Sequence, residues 1–348
     1  MGLMFNWQEI KKKERGLTFD DVLMIPRKSE VRSRKDPSLK TQITKKTFID
    51  IPIISANMDT VTESGMAIAL HQLGGLGIIH RFMTIEQQVN EVFMVKKAGA
   101  QAISASIGVN ADFKERAEKL INAGVNIMTI DIAHGHSIQM METLKWLKDT
   151  YTNVEVIAGN LATPDAARDL IEAGADAIKV GIGPGSMCTT RIITGCGVPQ
   201  LTAVALCTEI AETYGVPVIA DGGIRTSGDI VKALAAGASC VMLGSMLSGT
   251  LETPGEIING RKQYRGMASK SAQVSWRGDL PTGMAPEGES TTVNVKGPVS
   301  VVIHELLGGI RSGMSYINAT TVKEIREKAQ FMEMTPNGIA ESRAHGVR

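Results

Sequence analysis

The stretch PVIADGGIRTSGDIVKALAAGASCVMLGS, residues 217–245, indicates the fold of the whole chain. It begins and ends with short apolar runs, PVIADGG (217–223) and SCVMLGS (239–245). The segment between them, SGDIVKALAAG (227–237), has the apolar spacing of a helix that starts at a Ser cap and stops at Gly. Near-continuous apolar runs are typical of parallel strands buried on both faces. The stretch therefore predicts a strand–helix–strand unit with a right-handed crossover.

Six more apolar runs precede this unit, and amphipathic segments such as TIEQQVNEVFMVKKAG (84–99) and TPDAARDLIEAG (163–174) lie between them. The six further predicted strands are IPIISANM (51–58), GLGII (75–79), AISASIG (102–108), IMTIDI (127–132), VEVIAGN (154–160) and AIKVGIG (177–183). Eight strand–helix repeats of about 25–30 residues favour a closed (β/α)8 TIM barrel of the α/β class. An open doubly wound sheet is the alternative.

The length of 348 residues fits one decorated barrel domain, because such barrels run from about 250 to over 400 residues. Length alone also allows two domains. Residues 1–50 are polar and irregular and predict a leading arm. Residues 255–300, rich in Gly, Pro and Ser, predict a long mobile flap after strand eight, at the catalytic face. VSVVIHELLGGIRSGM (299–314) predicts a helix, and the polar segment 335–348 predicts a flexible C-terminal tail unless a neighbour holds it.

Composition excludes several classes of function. The chain has 37 Lys and Arg against 36 Asp and Glu, so no overall charge attracts nucleic acid or a membrane. None of the four cysteines forms a CxxC pair, which argues against a zinc ribbon or a thioredoxin motif. The N-terminal residues lack the apolar core of a secretory signal, and no apolar run reaches the length of a membrane span. We expect a cytoplasmic protein with free thiols.

The loop GIGPGSMCTT (181–190) is the most informative candidate for chemistry. Its alternating glycines allow backbone groups to turn toward a phosphate or a cation, but the loop matches neither a Walker motif nor GxGxxG. Cys188, which follows these glycines, is a candidate nucleophile. A buried structural cysteine is an equally open interpretation. Cys207 and Cys240 lie in apolar runs and predict core positions.

The ends of strands seven and eight are candidates for nucleotide binding. Asp221 ends strand seven, where its carboxylate could accept from a sugar diol, and LGSMLSG (243–249) ends strand eight. Loops after these two strands often bind phosphate in barrels, although ordinary turns with glycine would look the same.

The segment DIAHGHS (131–137) carries two histidines that suggest a metal site. Their i, i+2 spacing places His134 and His136 on opposite sides of a strand, and no HExxH pattern accompanies them. A polar loop near a ligand is therefore favoured, with Asp131 as the functional candidate.

Taken together, these motifs resemble the IMP dehydrogenase and GMP reductase family, in the family's order and over about residues 17–345. IKVGIGPGSMCTT (178–190) resembles the signature loop of the family. The other matching motifs are LTFDDVLMIP (17–26), SANMDTVTE (55–63), DIAHGHS (131–137), IAGNLAT (157–163), IADGGIR (219–225), VMLGSMLSG (241–249) and YRGMAS (264–269).

The resemblance implies a TIM-barrel enzyme that forms homotetramers and in which Cys188 attacks C2 of a purine nucleotide. In the dehydrogenases, hydride then passes to NAD+, and water hydrolyses the covalent intermediate to XMP. In the reductases, GMP loses ammonia and NADPH supplies the hydride, giving IMP. The expected partners are a purine nucleotide and a nicotinamide dinucleotide, with no nucleic acid and no membrane.

The resemblance also implies roles for particular residues. The implied catalytic residues are Cys188, Thr190 and Arg277. The implied substrate-binding residues are Met58, Ser186, Asp221, Gly222, Gly223, Gly244, Ser245, Tyr264, Gly266, Met267, Ala268 and Glu287. The implied cofactor-binding residues are Asp131, Ala133, Lys179, Gly181 and Gly183. The implied potassium ligands are Gly183, Gly185 and Cys188, with Glu341, Ser342 and Arg343 from a neighbouring subunit.

Some features of the sequence favour the dehydrogenase and others favour the reductase. The short connection between strands two and three lacks the CBS insertion typical of dehydrogenases, and Gly278 stands where their flap carries a Tyr after Arg277. Two features argue against the reductase. Lys270 stands where the catalytic Glu of reductases is expected, and Glu287 matches a position that contacts the nucleobase in dehydrogenases. We predict an NAD-dependent IMP dehydrogenase, with an NADPH-dependent GMP reductase as the alternative. A barrel that binds purine nucleotides without catalysis is a third possibility.

Overall fold

Eight parallel strands close into a barrel in this computed structural model, which describes residues 4–110, 112–279 and 283–342. The barrel strands are β1 (Ile53–Ser55), β2 (Leu76–Ile79), β3 (Ser104–Ile107), β4 (Ile127–Asp131), β5 (Glu155–Leu161), β6 (Ala177–Val180), β7 (Val218–Asp221) and β8 (Cys240–Leu243). Consecutive strands are neighbours, and β8 pairs with β1 through Val241 and Ile53 to close the barrel. The predicted barrel and all eight predicted strands are confirmed, and the open-sheet alternative is wrong.

One principal helix follows each strand. These helices are α1 (Ser64–Gln72), α2 (Ile85–Lys97), α3 (Phe113–Ala123), α4 (Ile138–Thr150), α5 (Pro164–Glu172), α6 (Gln200–Thr213), α7 (Ser227–Ala235) and α8 (Val299–Tyr316). Threonine caps such as Thr84 and Thr163 satisfy the first free N–H groups of their helices. The cap of α7 is Thr226 rather than the predicted serine, because Thr226 and Asp229 form a reciprocal capping box. The helix predicted at 299–314 is confirmed as α8.

The strands separate two hydrophobic layers, as their continuous apolar sequences predict. One buried cluster contains no helix residue and holds Ile54, Ile78, Ile157 and Ile219, so it fills the barrel interior. Residues that point the other way, such as Ile53, join the larger cluster between the strands and the helices. This two-layered core fixes the strand ends, and with them the loops that build the site.

The N-terminal arm is more regular than its sequence predicts. It contains the 3-10 turns Trp7–Lys12 and Phe19–Asp21, and its strands Met4–Phe5 and Val22–Met24 flank Phe331–Glu333 in a three-stranded antiparallel sheet. A second short pair, Thr41–Gln42 with Phe48–Ile49, precedes the barrel. The arm is thus held by the C-terminal part of the chain, which continues through the helices Val322–Lys328 and Pro336–Glu341.

The segment after β8, which the sequence predicts as a long mobile flap at 255–300, contains regular structure. Arg261–Arg265 pairs antiparallel with Ser290–Asn294, and the helix Lys270–Arg277 lies between these strands in sequence. From here on, the flap means residues 261–294, which lie within the predicted segment 255–300. No helix within the described ranges is both long and apolar enough to cross a bilayer.

Candidate active site

A cavity of about 320 Å³ opens at the carboxyl ends of the barrel strands, between them and the flap. Many residues singled out from the sequence line this main cavity. They are Met58, Asp131, Ala133, Lys179, Gly181, Gly183, Gly185, Ser186, Cys188, Thr190, Asp221, Tyr264, Gly266, Met267, Ala268, Arg277 and Glu287. The barrel rule that polar groups gather at this end therefore led to residues that surround one cavity.

A smaller cavity of about 130 Å³ adjoins the main cavity and shares Met58, Ser186, Asp221 and Tyr264 with it. Its remaining lining includes the other predicted nucleotide-binding residues, Gly222, Gly223, Gly244 and Ser245. Gly222 and Gly223 have φ values of 93° and 80°, a backbone conformation that side chains disfavour. The glycine pair after β7 is therefore required by the turn that brings backbone close to this cavity.

Cys188 lies half-buried in the wall of the main cavity. Its Sγ is 3.2 Å from Thr190 Oγ1, and the Thr190 hydroxyl donates to Glu287 Oε2 at 2.7 Å. By contrast, Cys207 and Cys240 are fully buried, and burial raises the pKa of both thiols. The prediction that these two are core residues is confirmed, whereas the interpretation of Cys188 as a core residue is wrong.

The cysteine loop is joined to the flap through the backbone. The amide of Glu289 donates to the Met187 carbonyl at 2.8 Å, and the amide of Thr189 donates to the Glu287 carbonyl at 3.0 Å. Because these bonds flank Cys188, the flap fixes the thiol and the Glu287 carboxylate relative to each other.

An ion pair attaches the flap to the loop after β1. Asp59 accepts from Arg265 Nε at 3.0 Å and also from its Nη2, and both side chains are only 12% exposed. Arg265 also donates to the Ser271 carbonyl at 3.1 Å, beside the start of the Lys270–Arg277 helix. The backbone amide of Asp59 lies 3.3 Å from Met267 Sδ. Asp59 thus connects the barrel to the part of the flap that lines the cavity.

A buried lysine connects the ends of four strands. Lys179 Nζ donates to Asp131 Oδ1 at 2.8 Å, to Asp221 Oδ2 at 2.7 Å and to Asn160 Oδ1. Burial by itself acts to lower the pKa of Lys179, but the two carboxylates outweigh it and raise the pKa above its usual value. Burial likewise acts to raise the pKa of Asp131, and the ammonium outweighs it, so that the pKa is lowered. The Asp131 carboxyl group is thereby held in its charged form.

Sequence reasoning missed several residues of the main cavity, notably Arg81, Phe82, Gln273 and Trp276. Arg81 and Phe82 come two and three residues after the end of β2, so the rule of strand ends could have found them. Phe82 packs edge-on against Trp276, with ring centroids 6.1 Å apart, and the Arg81 guanidinium lies over the Phe82 ring. Arg81 Nε and Gln273 Oε1 are buried and find no hydrogen-bond partner among the described residues. Such unpaired groups fit a cavity that receives a polar ligand.

The remaining predicted positions lie apart from the two cavities. His136 pairs with Asp169 at 2.8 Å, and the described residues contain no cluster of His, Cys, Asp and Glu that could hold a metal ion. Glu341 and Ser342 are exposed at the end of the Pro336–Glu341 helix and line neither cavity. Arg343 lies outside the described residues.

Together, the fold and the site define a (β/α)8 barrel with a half-buried cysteine and two aspartates that share one buried lysine at its mouth. The sequence profile of the IMP dehydrogenase / GMP reductase domain matches residues 16–345, and the chain belongs to this family.

Individual relatives carry the name inosine-5'-monophosphate dehydrogenase. The protein from Cryptosporidium parvum is 44% identical over 386 aligned residues, covering 96% of each chain. The protein from Nitrosopumilus maritimus is 37% identical and covers 95% of this chain and 98% of its own. The protein from Halalkalibacterium halodurans is 38% identical and covers 98% of each chain.

Proposed function

We propose that the protein is an IMP dehydrogenase, which oxidises IMP to XMP with NAD+ through a covalent bond to Cys188. The observation that carries this proposal is the position of the thiol. It lies in a cavity wall, 3.2 Å from a threonine that is itself hydrogen-bonded to a carboxylate. The relatives named above carry the same activity in their names.

The smaller cavity fits the sugar and phosphate of the nucleotide. Backbone N–H groups of Gly222, Gly223, Gly244 and Ser245 offer donors to phosphate oxygens, as glycine-rich loops of this fold do. The Asp221 carboxylate, which lines both cavities, accepts from the ribose hydroxyls. A base that extends from this ribose into the main cavity reaches Met58, Met267 and the Cys188 thiol, which all line it.

The rest of the main cavity fits a nicotinamide dinucleotide. Asp131, Ala133, Gly181 and Gly183 line it. Arg81 Nε and Gln273 Oε1, which have no hydrogen-bond partner in the described part of the chain, can bond to a polar ligand. Asp131, held ionised, is the acceptor for a second ribose diol. When bound, the nicotinamide ring supplies the hydride acceptor.

The chemistry assigned to this chain's residues runs in two stages. The Cys188 thiolate adds to C2 of the hypoxanthine, and C2 then gives up a hydride, which leaves a thioimidate on the sulfur. Water adds to the same carbon and gives a proton to a base, the C–S bond breaks, and XMP leaves while the base returns that proton to the sulfur. Arg277 and the Thr190–Glu287 pair are both candidates for the base, because all three residues line the cavity.

The position of Lys270 disfavours the reductase alternative. Lys270 begins the flap helix, is exposed and lines neither cavity, so it does not replace the carboxyl group that would give a proton to departing ammonia. Arg277, seven residues later in the same helix, does line the main cavity. The flap therefore favours hydrolysis over deamination.

Absorbance at the nicotinamide band tests the assignment. IMP with NAD+ should produce NADH and XMP, whereas GMP with NADPH should show no change. Consumption of NADPH with release of ammonia would instead identify the reductase. Nucleotide binding with no change in either mixture would identify a non-catalytic barrel.

A bound cation and an assembly of several subunits belong to the same proposal. Backbone carbonyls are hard oxygen ligands that suit an alkali cation, and Gly183, Gly185 and Cys188 offer three at the cavity. Glu341, Ser342 and Arg343 of a neighbouring copy would complete the set in a homotetramer. All four cysteines are free, which fits a reducing cytoplasmic compartment. We expect potassium to stimulate turnover more than sodium, and a tetramer in sedimentation experiments.

A further inference from the structure

We propose that Lys179 is a positioning residue that couples the nucleotide site to the dinucleotide site, rather than a direct contact of the cofactor. The inference rests on the proposed function for the identity of the two ligands. Its physical basis is the pair of carboxylates, Asp131 and Asp221, that share one buried ammonium group.

All three N–H donors of the Lys179 ammonium are already used in hydrogen bonds. A lysine ammonium carries three N–H groups and no acceptor. Three acceptors surround Lys179 Nζ, namely Asp131 Oδ1 at 2.8 Å, Asp221 Oδ2 at 2.7 Å and Asn160 Oδ1. Because the side chain is also only 2% exposed, a ribose could reach the ammonium only by displacing one of these partners.

The two carboxylates, in contrast, are accessible to ligands. Their side chains are 22% and 21% exposed, and both line the main cavity. The lysine bonds to one oxygen of each carboxylate, so Asp131 Oδ2 and Asp221 Oδ1 are not engaged by it. Asn160 Nδ2 donates to the same Asp221 oxygen as the lysine, at 2.9 Å. Each carboxylate thus keeps one oxygen that the ammonium does not occupy, and this oxygen can accept from a ribose diol, although Asn57 also bonds to the Asp131 carboxylate.

Charge makes the lysine necessary to both sites. Two carboxylates bonded to one nitrogen lie so close that, without the cation, one of them would take up a proton. A protonated carboxyl group loses one of its acceptor positions and accepts more weakly from a sugar hydroxyl. Because this proton can reside on either carboxylate, loss of Lys179 weakens the binding of both the nucleotide and the dinucleotide.

The test is Lys179→Met, assayed by calorimetric titration of IMP without cofactor and by the KM for NAD+. We expect both constants to rise about tenfold or more, the typical contribution of one charge-assisted hydrogen bond. The ratio of the variant's IMP Kd to the wild-type Kd should fall as pH rises from about 6 to 9, as the shared proton is released. The wild-type carboxylate Asp131, whose pKa is lowered, stays ionised over this range.

A double variant separates coupling from simple damage. Lys179→Met combined with Asp131→Asn removes one positive and one negative charge, so Asp221 no longer competes with a second carboxylate. We expect its IMP Kd to return most of the way to the wild-type value, while the KM for NAD+ stays high. If the single variant fails to fold, this charge-balanced variant still decides, because an IMP Kd as weak as that of an Asp221→Asn variant would overturn the inference.

Lys148→Met is the matched control, because Lys148 also pairs with a largely buried carboxylate, Asp176, at 2.7 Å, but lines neither cavity. It should lower stability and leave the IMP Kd and the KM for NAD+ unchanged.

An unchanged IMP Kd in Lys179→Met, with only the KM for NAD+ raised, would show that the lysine is a cofactor contact alone. A wild-type protein that binds IMP but makes no NADH would refute the proposed reaction, and the IMP Kd values would still decide on Lys179. A wild-type protein that binds no purine nucleotide would refute both.

Discussion

The substitution Asp59→Asn should loosen the flap without unfolding the barrel. It removes the charge from a carboxylate that accepts two hydrogen bonds from Arg265, in a pair that is 12% exposed on each side. Breaking a fully buried pair costs about 3–5 kcal/mol, and an exposed pair contributes about 0–1 kcal/mol. For this mostly buried pair we expect a loss of about 2–3 kcal/mol, since asparagine can still accept one bond.

The lost free energy should appear as local opening of the flap, because Arg265 holds the flap and not the barrel strands. A loss of about 2–3 kcal/mol raises the open population of the flap about 30- to 150-fold. Hydrogen exchange should therefore accelerate by this factor at amides such as Gly266, which donates to Glu289 within the flap, and hardly at all in β4. Turnover should fall with it, because the open flap no longer holds Glu287 beside Thr190.

Asp165→Asn is the matched control for this variant. Asp165 also pairs with an arginine, Arg168, but the two side chains are 79% and 44% exposed and line neither cavity. Its loss should change neither exchange nor turnover measurably. Uniform acceleration across the barrel in Asp59→Asn, or flap protection equal to that of the wild type, would refute the assignment of Asp59 as the flap anchor.

Three further predictions concern the chemistry. Glu287→Gln keeps the hydrogen bond to Thr190 but removes the proton acceptor, so kcat should fall about 100-fold or more with little change in the KM for IMP; a wild-type kcat would exclude the carboxylate. Arg277→Ala should slow hydrolysis more than hydride transfer, which rapid mixing would detect as a larger burst of NADH; a steady-state rate equal to that of the wild type, without a burst, would contradict this. Iodoacetamide should modify Cys196 and Cys188, and IMP should protect only Cys188, because Cys196 is exposed outside both cavities. Peptide mass analysis that found protection at neither site would place the nucleotide elsewhere.

The barrel could be predicted because its strands are buried on both faces. Runs such as those that become β7 and β8 contain almost no polar residue. The helix between these two strands begins after a threonine and is followed by a glycine, which mark its ends in the sequence. The site followed from the rule of strand ends, which is enough to place Asp131, Asp221 and Cys188 at one mouth of the barrel. The roles of these three residues, in contrast, come from the family resemblance and not from the rule of strand ends.

The strands and the helix within the flap could not be predicted from periodicity, for a physical reason that Lys262 illustrates. Lys262 and Tyr264 alternate as the buried positions of the strand Arg261–Arg265, but a lysine does not register as apolar. Its ammonium is buried because the carbonyls of Thr250, Leu251 and Thr253 accept from it. Likewise, nothing in the sequence indicates that the donors of Lys179 are saturated, since its three partners come from three different strands.

Mass analysis of the protein after an acid quench during turnover with IMP and NAD+ tests the central role of Cys188 most directly. The account predicts one covalently bound purine nucleotide, located on the peptide that contains Cys188 and missing from Cys188→Ala, which still binds IMP but makes no NADH. Formation of NADH at the wild-type rate by Cys188→Ala, or a nucleotide bound to a different cysteine, would contradict it.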